Sequence, residues 1–496
     1  MKFESTNNSK KISILHVSDL HRSKTHSVSN VALLHSLKQD FDRYSDSTGQ
    51  KIDIAIVSGD IVQGVSPTEP NAVKLLDLQY NEAEDFLGEF AEFFFDGNRE
   101  KVILVPGNHD VSWSHSASSM QPIVIKDIAN PNSERRELLK QLFMTNSPIR
   151  WSWDSFNFYR IIDWEIYNKR FEAFSKFYHN FYNKKRNYSL EPFQQFDIFD
   201  FPEFNVTVLG FNSCFENDHC KSIGKINPAC IANASTILRH YKYNNRMLIS
   251  VWHHSTKGIP IKMDYMDSTV LENLMDLEVN VGFQGHQHKN DVISEYSKVN
   301  SSKIVVFGAG SLCADPNELA SGYRRSYNIV EHELGSNKMT LRVREMKHSG
   351  FDAPIWGESI IEGFNQHEAE IEIFARPQKP INIISIMEEV ESLIRYQEYK
   401  QALLLLDTMD FTLPLVRKFM FECYIHLDME DKILELFYPP QSNSEICLFL
   451  EFLWEKRDIH RLRQLLQMDS VKDSDDPSVK HLTKKYMSLV EDYNEV

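Results

Sequence analysis

"KVILVPGNHD", residues 101–110, sets an apolar, β-branched run directly against an amide, an imidazole and a carboxylate. The run has the character of a strand buried on both faces, which belongs in a parallel sheet. A turn after it requires only glycine and asparagine, so His109 and Asp110 exceed that need. The same juxtaposition recurs along the chain. "KISILHVSDLH" (11–21), "IDIAIVSGD" (52–60), "RMLISVWHH" (246–254) and "EVNVGFQGHQH" (278–288) each end an apolar run on Asp or His. "NVTVLGFN" (205–212) and "KIVVFGAGS" (303–311) add strands of the same kind, and amphipathic stretches at 71–94 and 267–277 read as helices. Strands alternating with helices predict an α/β domain. In open α/β sheets ligands sit beyond the carboxyl ends of the strands, which is where these polar residues fall.

The totals frame that site. A chain of 496 residues is too long for one ordinary core. Its 42% hydrophobic and 25% charged content is that of a globular protein, with no apolar run long enough to span a membrane. The polar N-terminus does not resemble a signal peptide. Six scattered cysteines form no CxxC pair, which fits a reducing cytoplasm and leaves no disulfide scaffold or zinc ribbon to expect. The net charge is −16, and residues 381–496 alone hold 22 acidic against 13 basic side chains. A charge of that sign argues against sequence-independent coating of nucleic acid.

Residues 111–204 are too many for a plain loop and must carry structure of their own. Within them Trp164, Tyr167, Phe171, Phe174, Tyr178 and Phe181 recur at helical spacing among lysines and arginines. Such a stripe either stacks bases or is the buried face of an amphipathic helix; the second is the expectation. The segment 351–380, ending in "ARPQKP", is expected as a linker. Beyond it, "YQEYKQALLLL" (396–406), "LDMEDKILELF" (427–437) and "KRDIHRLRQLL" (456–466) align without gaps, each preceded by another helical pattern. Period and pairing predict stacked helical hairpins, resembling a degenerate tetratricopeptide array. The expected division is therefore a catalytic domain at 1–350, with 111–204 as an insertion, a linker, and an acidic helical domain at 381–496.

Asp19, His21, Asp60, Asn108, His109, Asp110, His253, His254, His286 and His288 thus lie at successive strand ends. So many carboxylates and imidazoles in one pocket repel one another or shift their pKa values unless cations use their lone pairs. The ordered set DxH, GD, GNHD, H and GHxH resembles the signature of the calcineurin-like metallophosphoesterase superfamily. "VSDLH", "WHH" and "GHQH" are most similar to its cyclic-nucleotide and broad phosphodiesterase branch. The resemblance implies an α/β/β/α sandwich of two packed mixed sheets followed by the all-α region. It also implies two metal ions: Asp19, His21, Asp60 and His288 around one, with Asp60 bridging to a second held by Asn108, His253 and His286. Oxygen and nitrogen donors without thiolate favour Mn²⁺, with Fe or Zn²⁺ as alternatives. A hydroxide shared by the ions is the implied nucleophile, His109 the general acid, and Asp110 the carboxylate that orients His109. His254 is expected to be structural.

"GDIVQGV" lacks the arginine that phosphoprotein-cleaving members carry after the GD motif, and "GNHD" ends in Asp where they have Glu. Loss of a guanidinium clamp points to diesters, cyclic nucleotides or nucleic-acid backbones, with nuclease activity included. A phosphomonoesterase, or a metal-stabilised interaction scaffold with little activity, is the alternative. The helical region is expected to serve a protein partner or self-association.

Overall fold

The computed structural model describes residues 11–24, 28–125, 131–144, 146–153, 155–239, 243, 246–258, 264–297, 302–319, 322–348, 354–373, 383–407 and 409–492. It divides into two compact units, 1–377 and 378–496. The first opens with β1 (Lys11–Val17), α1 (Asn30–Thr48), β2 (Ile54–Ser58), α2 (Ala72–Phe95) and β3 (Val102–Val105). Ser29 accepts from the Ala32 amide to cap α1, and Gly49 ends it in the left-handed conformation. The intervening segment forms α3 (Trp113–Ser118), β4 (Met120–Pro122), α4 (Pro131–Leu142), β5 (Ile149–Ser152), β6 (Asn157–Ile161), α5 (Trp164–Asn168) and α6 (Glu172–Phe181). Then come β7 (Phe196–Phe201), β8 (Val206–Phe211), α7 (Pro228–Leu238), β9 (Met247–Val251), α8 (Thr269–Asp276), β10 (Val281–Gln284), β11 (Asp291–Ser297) and β12 (Ser302–Gly308). Four strands close the unit: β13 (Ser326–Glu333), β14 (Lys338–His348), β15 (Ile355–Glu358) and β16 (Glu368–Glu372).

Two mixed sheets result. One has the order β15-β14-β13-β1-β2-β3 with β16 also on β14; the other runs β11-β12-β10-β9-β8-β7. β1, β2 and β3 are parallel neighbours, as are β8, β9, β10 and β12. Their faces meet in one core, where Ile14, Ile56 and Ile103 join Val251, Phe283 and Phe307. Each such side chain contributes roughly 1.5–3 kcal/mol by leaving water. α1 and α2 cover the outer face of the first sheet through Leu37, Phe41, Phe86 and Phe90. α7 and α8 cover the second through Ile231, Ala234, Leu271 and Leu274. The expected α/β/β/α sandwich is therefore the observed fold.

One expectation changes, and another, the buried aromatic stripe, stands. The interval 351–380 is not simply a linker, because β14 is long enough to pair along its second edge with both β15 and β16. Trp356 on β15 is buried and donates its indole N–H to Ser36 Oγ of α1 at 2.9 Å. Residues 375–380, the proposed linker core, lie outside the described residues. The aromatic stripe is split by a 3-10 turn at Lys169–Phe171 between α5 and α6. Tyr167, Phe171, Phe174, Tyr178 and Phe181 are all buried; of the stripe only Trp164 is exposed. Phe177 stacks on Tyr80 of α2 with ring centroids 5.1 Å apart. The stripe is core, and no base-stacking surface is built from it.

The second unit is helical: α9 (Ile383–Arg395), α10 (Tyr399–Leu406), α11 (Pro414–His426), α12 (Glu430–Phe437), α13 (Asn443–Glu455), α14 (Ile459–Gln467), α15 (Asp469–Lys472) and α16 (Pro477–Asp492). The three aligned segments become α10, α12 and α14. The corner before each holds one residue in the left-handed region: Gln397, Asp428 and Arg457. No helix among the described residues is long and apolar enough to cross a membrane.

One buried ion pair locks helix to sheet. Asp40 of α1 accepts from Arg344 Nε at 2.9 Å and Nη2 at 2.6 Å, and from the Tyr327 hydroxyl at 2.6 Å. Removing one partner strands a buried charge. Asp40→Ala is expected to lower stability by about 3–5 kcal/mol in denaturant unfolding, while leaving bound metal unchanged in the folded protein.

Candidate active site

The candidate residues sit where the two sheets present the ends of their parallel strands. Asp19 and His21 follow β1, Asp60 follows β2, and Asn108 and His109 follow β3; His253 follows β9, and His286 and His288 follow β10. The chain must turn sharply there to aim side chains back over the strand ends. Asp19, His21, Asp60, His286 and His288 all have φ between 47° and 73°. Non-glycine residues avoid that region at a cost of about 1–3 kcal/mol each, and they concentrate at functional sites.

The sequence-predicted residues converge in two groups. Potential ligand atoms of Asp19, His21, Asp60 and His288 lie within 4.8 Å of one another, and so do those of Asp60, His253 and His286. Asp60 belongs to both. His288 Nε2 is 3.1 Å from Asp19 Oδ1, and His253 Nε2 is 3.2 Å from Asp60 Oδ2. Asn108 Oδ1 stands 3.0 Å from His253 Nε2 and 2.9 Å from His286 Nδ1. Backbone contacts fix which ring nitrogen faces inward. His253 Nδ1 faces the Ser58 carbonyl at 2.8 Å, and His288 Nδ1 the Glu318 carbonyl at 2.9 Å. His286 turns Nε2 toward Asp264 Oδ2 at 3.7 Å.

The donor set fits divalent cations. Two carboxylates, four imidazoles and an amide converge with no thiolate among them, and both His21 ring nitrogens are buried without a hydrogen-bond partner in the structure. Burial opposes ionisation of Asp19 and Asp60, yet the imidazoles of His288 and His253 overcome it and hold both carboxyls well below their ordinary range. Reciprocally, burial disfavours a charged His253 or His288, but Asp60 and Asp19 raise them to about 9. His21, buried and facing His109, falls to about 3. The two carboxylates thus demand nearby positive charge, which a bound cation would supply.

His109 is partly exposed at the rim. Its amide donates to Asp60 Oδ1 at 2.8 Å, and its Nε2 is 4.0 Å from Asp60 Oδ2. Its Nδ1 faces the main-chain carbonyl of Gln63 at 2.6 Å. Here the structure departs from expectation, because Asp110 does not orient His109. Asp110 is buried, and its carboxylate accepts from the amides of Gly107 (2.7 Å), Ile61 (3.2 Å) and Val62 (3.4 Å) and from the Tyr80 hydroxyl (3.0 Å). With several donors converging on it, the carboxylate ties the GNHD loop to the segment after β2. His254 turns away to Ser213 Oγ at 2.9 Å, outside both ligand groups. A third grouping, Asp218, His219 and Cys220, has its carboxylate committed to Arg150 Nε at 2.6 Å and the Tyr167 hydroxyl at 2.9 Å.

Sequence reasoning missed the supporting groups: the Ser58, Gln63 and Glu318 carbonyls, Tyr80 and Asp264. The carbonyls carry no residue-type signal, and Tyr80 lies on α2 in a run read only as an amphipathic helix.

Residues 12–290, more than half of the chain, match the family model of calcineurin-like phosphoesterases, and the chain belongs to that family. It is accordingly a metal-dependent phosphoester hydrolase by class. Solved structures similar to it include a dimetal phosphatase from Danio rerio, 9% identical over 70% of this chain and 98% of that one, with a TM-score of 0.31. GAP50, the anchor in the inner membrane complex of Plasmodium, is 13% identical over 76% and 93%, with a TM-score of 0.34. A Vps29 single mutant from Entamoeba histolytica is 9% identical over 73% and 100%, with a TM-score of 0.26. No curated protein matches the chain.

Two glycines hold the ligands without being ligands. A Cβ on Gly107 would lie 2.2 Å from Asp60 Oδ1 and 2.3 Å from its amide nitrogen, both far inside contact distance. On Gly285 it would lie 1.8 Å from Ser18 Oγ and 2.8 Å from Asp19 Oδ2. Gly107→Ala and Gly285→Ala are each expected to reduce retained divalent metal about tenfold or more, as displaced supporting groups do, read by elemental analysis of the purified protein.

Proposed function

We propose that the protein is a binuclear metal-dependent phosphodiesterase acting on nucleotide or nucleic-acid diesters. The observation that carries this is Asp60, whose carboxylate belongs to both ligand groups. Asp19, His21, Asp60 and His288 hold one cation; Asp60, Asn108, His253 and His286 hold the other. Mn²⁺ is favoured by the mixed oxygen and nitrogen donors, with Fe or Zn²⁺ next. Such a pair, when bound, lowers the pKa of water and neutralises charge that develops on phosphate oxygens.

The chain's own residues do the rest. His109 presents Nε2 at the rim, where it donates a proton to the leaving oxygen. The Gln63 carbonyl fixes the proton on Nδ1 and so selects Nε2 for that exchange. Asp110 acts at one remove, holding the loop that carries Asn108 and His109.

The diester preference is supported by two nearby arginines that are already engaged. Arg22 donates to the Val28 carbonyl at 2.9 Å and to Cys313 Sγ at 3.3 Å, and Arg170 to the carbonyls of Asn217, Tyr167 and Phe215. Both are buried, so neither is placed to clamp a dianionic monoester. For the second unit we propose docking of a protein partner or a second copy, supported by its repeated helical hairpins.

Chelator-treated protein is expected to lose hydrolysis of bis(p-nitrophenyl) phosphate and regain it with Mn²⁺. Asp60→Ala should lose metal and turnover together. His109→Ala should keep its metal yet lose about 10²–10⁴-fold on diesters with poor leaving groups. Preference for p-nitrophenyl phosphate over every diester tried, including cyclic mononucleotides, DNA and RNA, would replace this reading with a phosphomonoesterase.

A further inference from the structure

α2 reaches the site without supplying a ligand. Gln79, half-buried on its inner side, accepts from the Gly64 amide at 2.9 Å and donates to the Gly64 carbonyl at 3.1 Å. Gly64 has φ +80°, and a Cβ there would lie 3.2 Å from both His109 Nδ1 and the His109 carbonyl oxygen. The Gln63–Gly64 peptide therefore packs directly against the His109 ring, and the carbonyl on its Gln63 side receives Nδ1. Ser23 fixes the other end of Gln63, donating to its Oε1 at 2.9 Å. The next residue of the helix, Tyr80, reaches the opposite loop, where its hydroxyl lies 3.0 Å from Asp110 Oδ1 and 3.2 Å from the Asp110 carbonyl. Consecutive residues of one helix thus grip the two loops between which His109 stands.

We infer that Gln79 is a positioning residue for the reaction: by clamping Gly64 it holds the Gln63 carbonyl where it fixes the tautomer and rotation of His109. This rests on His109 being the general acid. A carboxylate partner would orient an imidazole through its own side chain; here a neutral peptide carbonyl does so. A peptide in a loop is only as well placed as its own restraints, and Gln79 supplies one hydrogen bond to the Gln63–Gly64 peptide, through the Gly64 amide, and a second to the peptide that follows it, through the Gly64 carbonyl. The amide is suited to the task because it offers one donor and one acceptor to the same glycine. A group that acts through another in this way influences proton transfer and leaves substrate binding alone.

The test compares methyl phenyl phosphate, which has a poor leaving group, with methyl p-nitrophenyl phosphate, which has an activated one. Gln79→Met removes both hydrogen bonds at similar volume. It is expected to lower kcat about tenfold on the phenyl ester, the scale of one or two lost hydrogen bonds. The p-nitrophenyl ester, KM and bound metal should be nearly unchanged. Gln79→Glu, which keeps the acceptor for the Gly64 amide, should recover part of the loss and carries the comparison should Gln79→Met not fold. Combined with His109→Ala, Gln79→Met should add nothing further, since both act through one proton. Equal losses on the two esters, or additivity with His109→Ala, would overturn the inference. If His109→Ala itself fails to distinguish the esters, the acid assignment falls and this positioning role with it. If His109→Ala distinguishes them and Gln79→Met does not, only the positioning role falls.

Discussion

The Asp60 carboxylate is the point at which the two ligand groups become one site. It lies at the end of β2, within reach of His253 from the second sheet, and accepts the His109 amide from the loop after β3. That reach is possible only because the sheets pack face to face with their parallel strand ends together. It also requires that the peptides beneath it carry no side chain, as at Gly107. A buried carboxylate in such surroundings is unfavourable until positive charge compensates it. Left-handed backbone at five candidate ligands is a second cost borne at the same place. The extensive apolar core between the sheets is what over-determines these conformations and keeps them from relaxing.

Much of this was visible in the residues themselves. Apolar runs ending on Asp or His located β1, β2, β3, β9 and β10 and named every member of the two groups, because side-chain chemistry at a strand end is a property of residue type. What escaped was of two kinds. β14, "KMTLRVREMKH", alternates buried and partly exposed positions, and β16, "EAEIE", exposes three glutamates, so neither has the continuous apolar character of a central strand. Their pairing is set by β13 and by the length of β14, which are non-local facts. The second kind is main-chain chemistry. The Gln63 carbonyl took the place expected for Asp110 because the loop conformation, and not the residue type, decides which oxygen meets Nδ1.

The aromatic residues of 164–181 show the same limit from another side. Their spacing was legible, but whether the stripe met solvent or protein depended on α2, nearly a hundred residues earlier. In the second unit the repeat was readable from aligned apolar positions, whereas its corners were not. Gln397, Asp428 and Arg457 occupy a left-handed position that glycine or asparagine usually fills at a helix end, so composition gave no hint of the turn.

The placement of α2 bears on how such a protein can change. Phe177 of the inserted segment stacks on Tyr80, and Tyr80 in turn touches the Asp110 loop. The insertion is therefore not a detachable module laid over a finished catalytic core. A chimera that imported a different insertion would need to bring along the matching face of α2, or the loop bearing His109 would lose its backing. Diversification of the inserted segment is coupled, through one tyrosine, to the loop that carries Asn108 and His109.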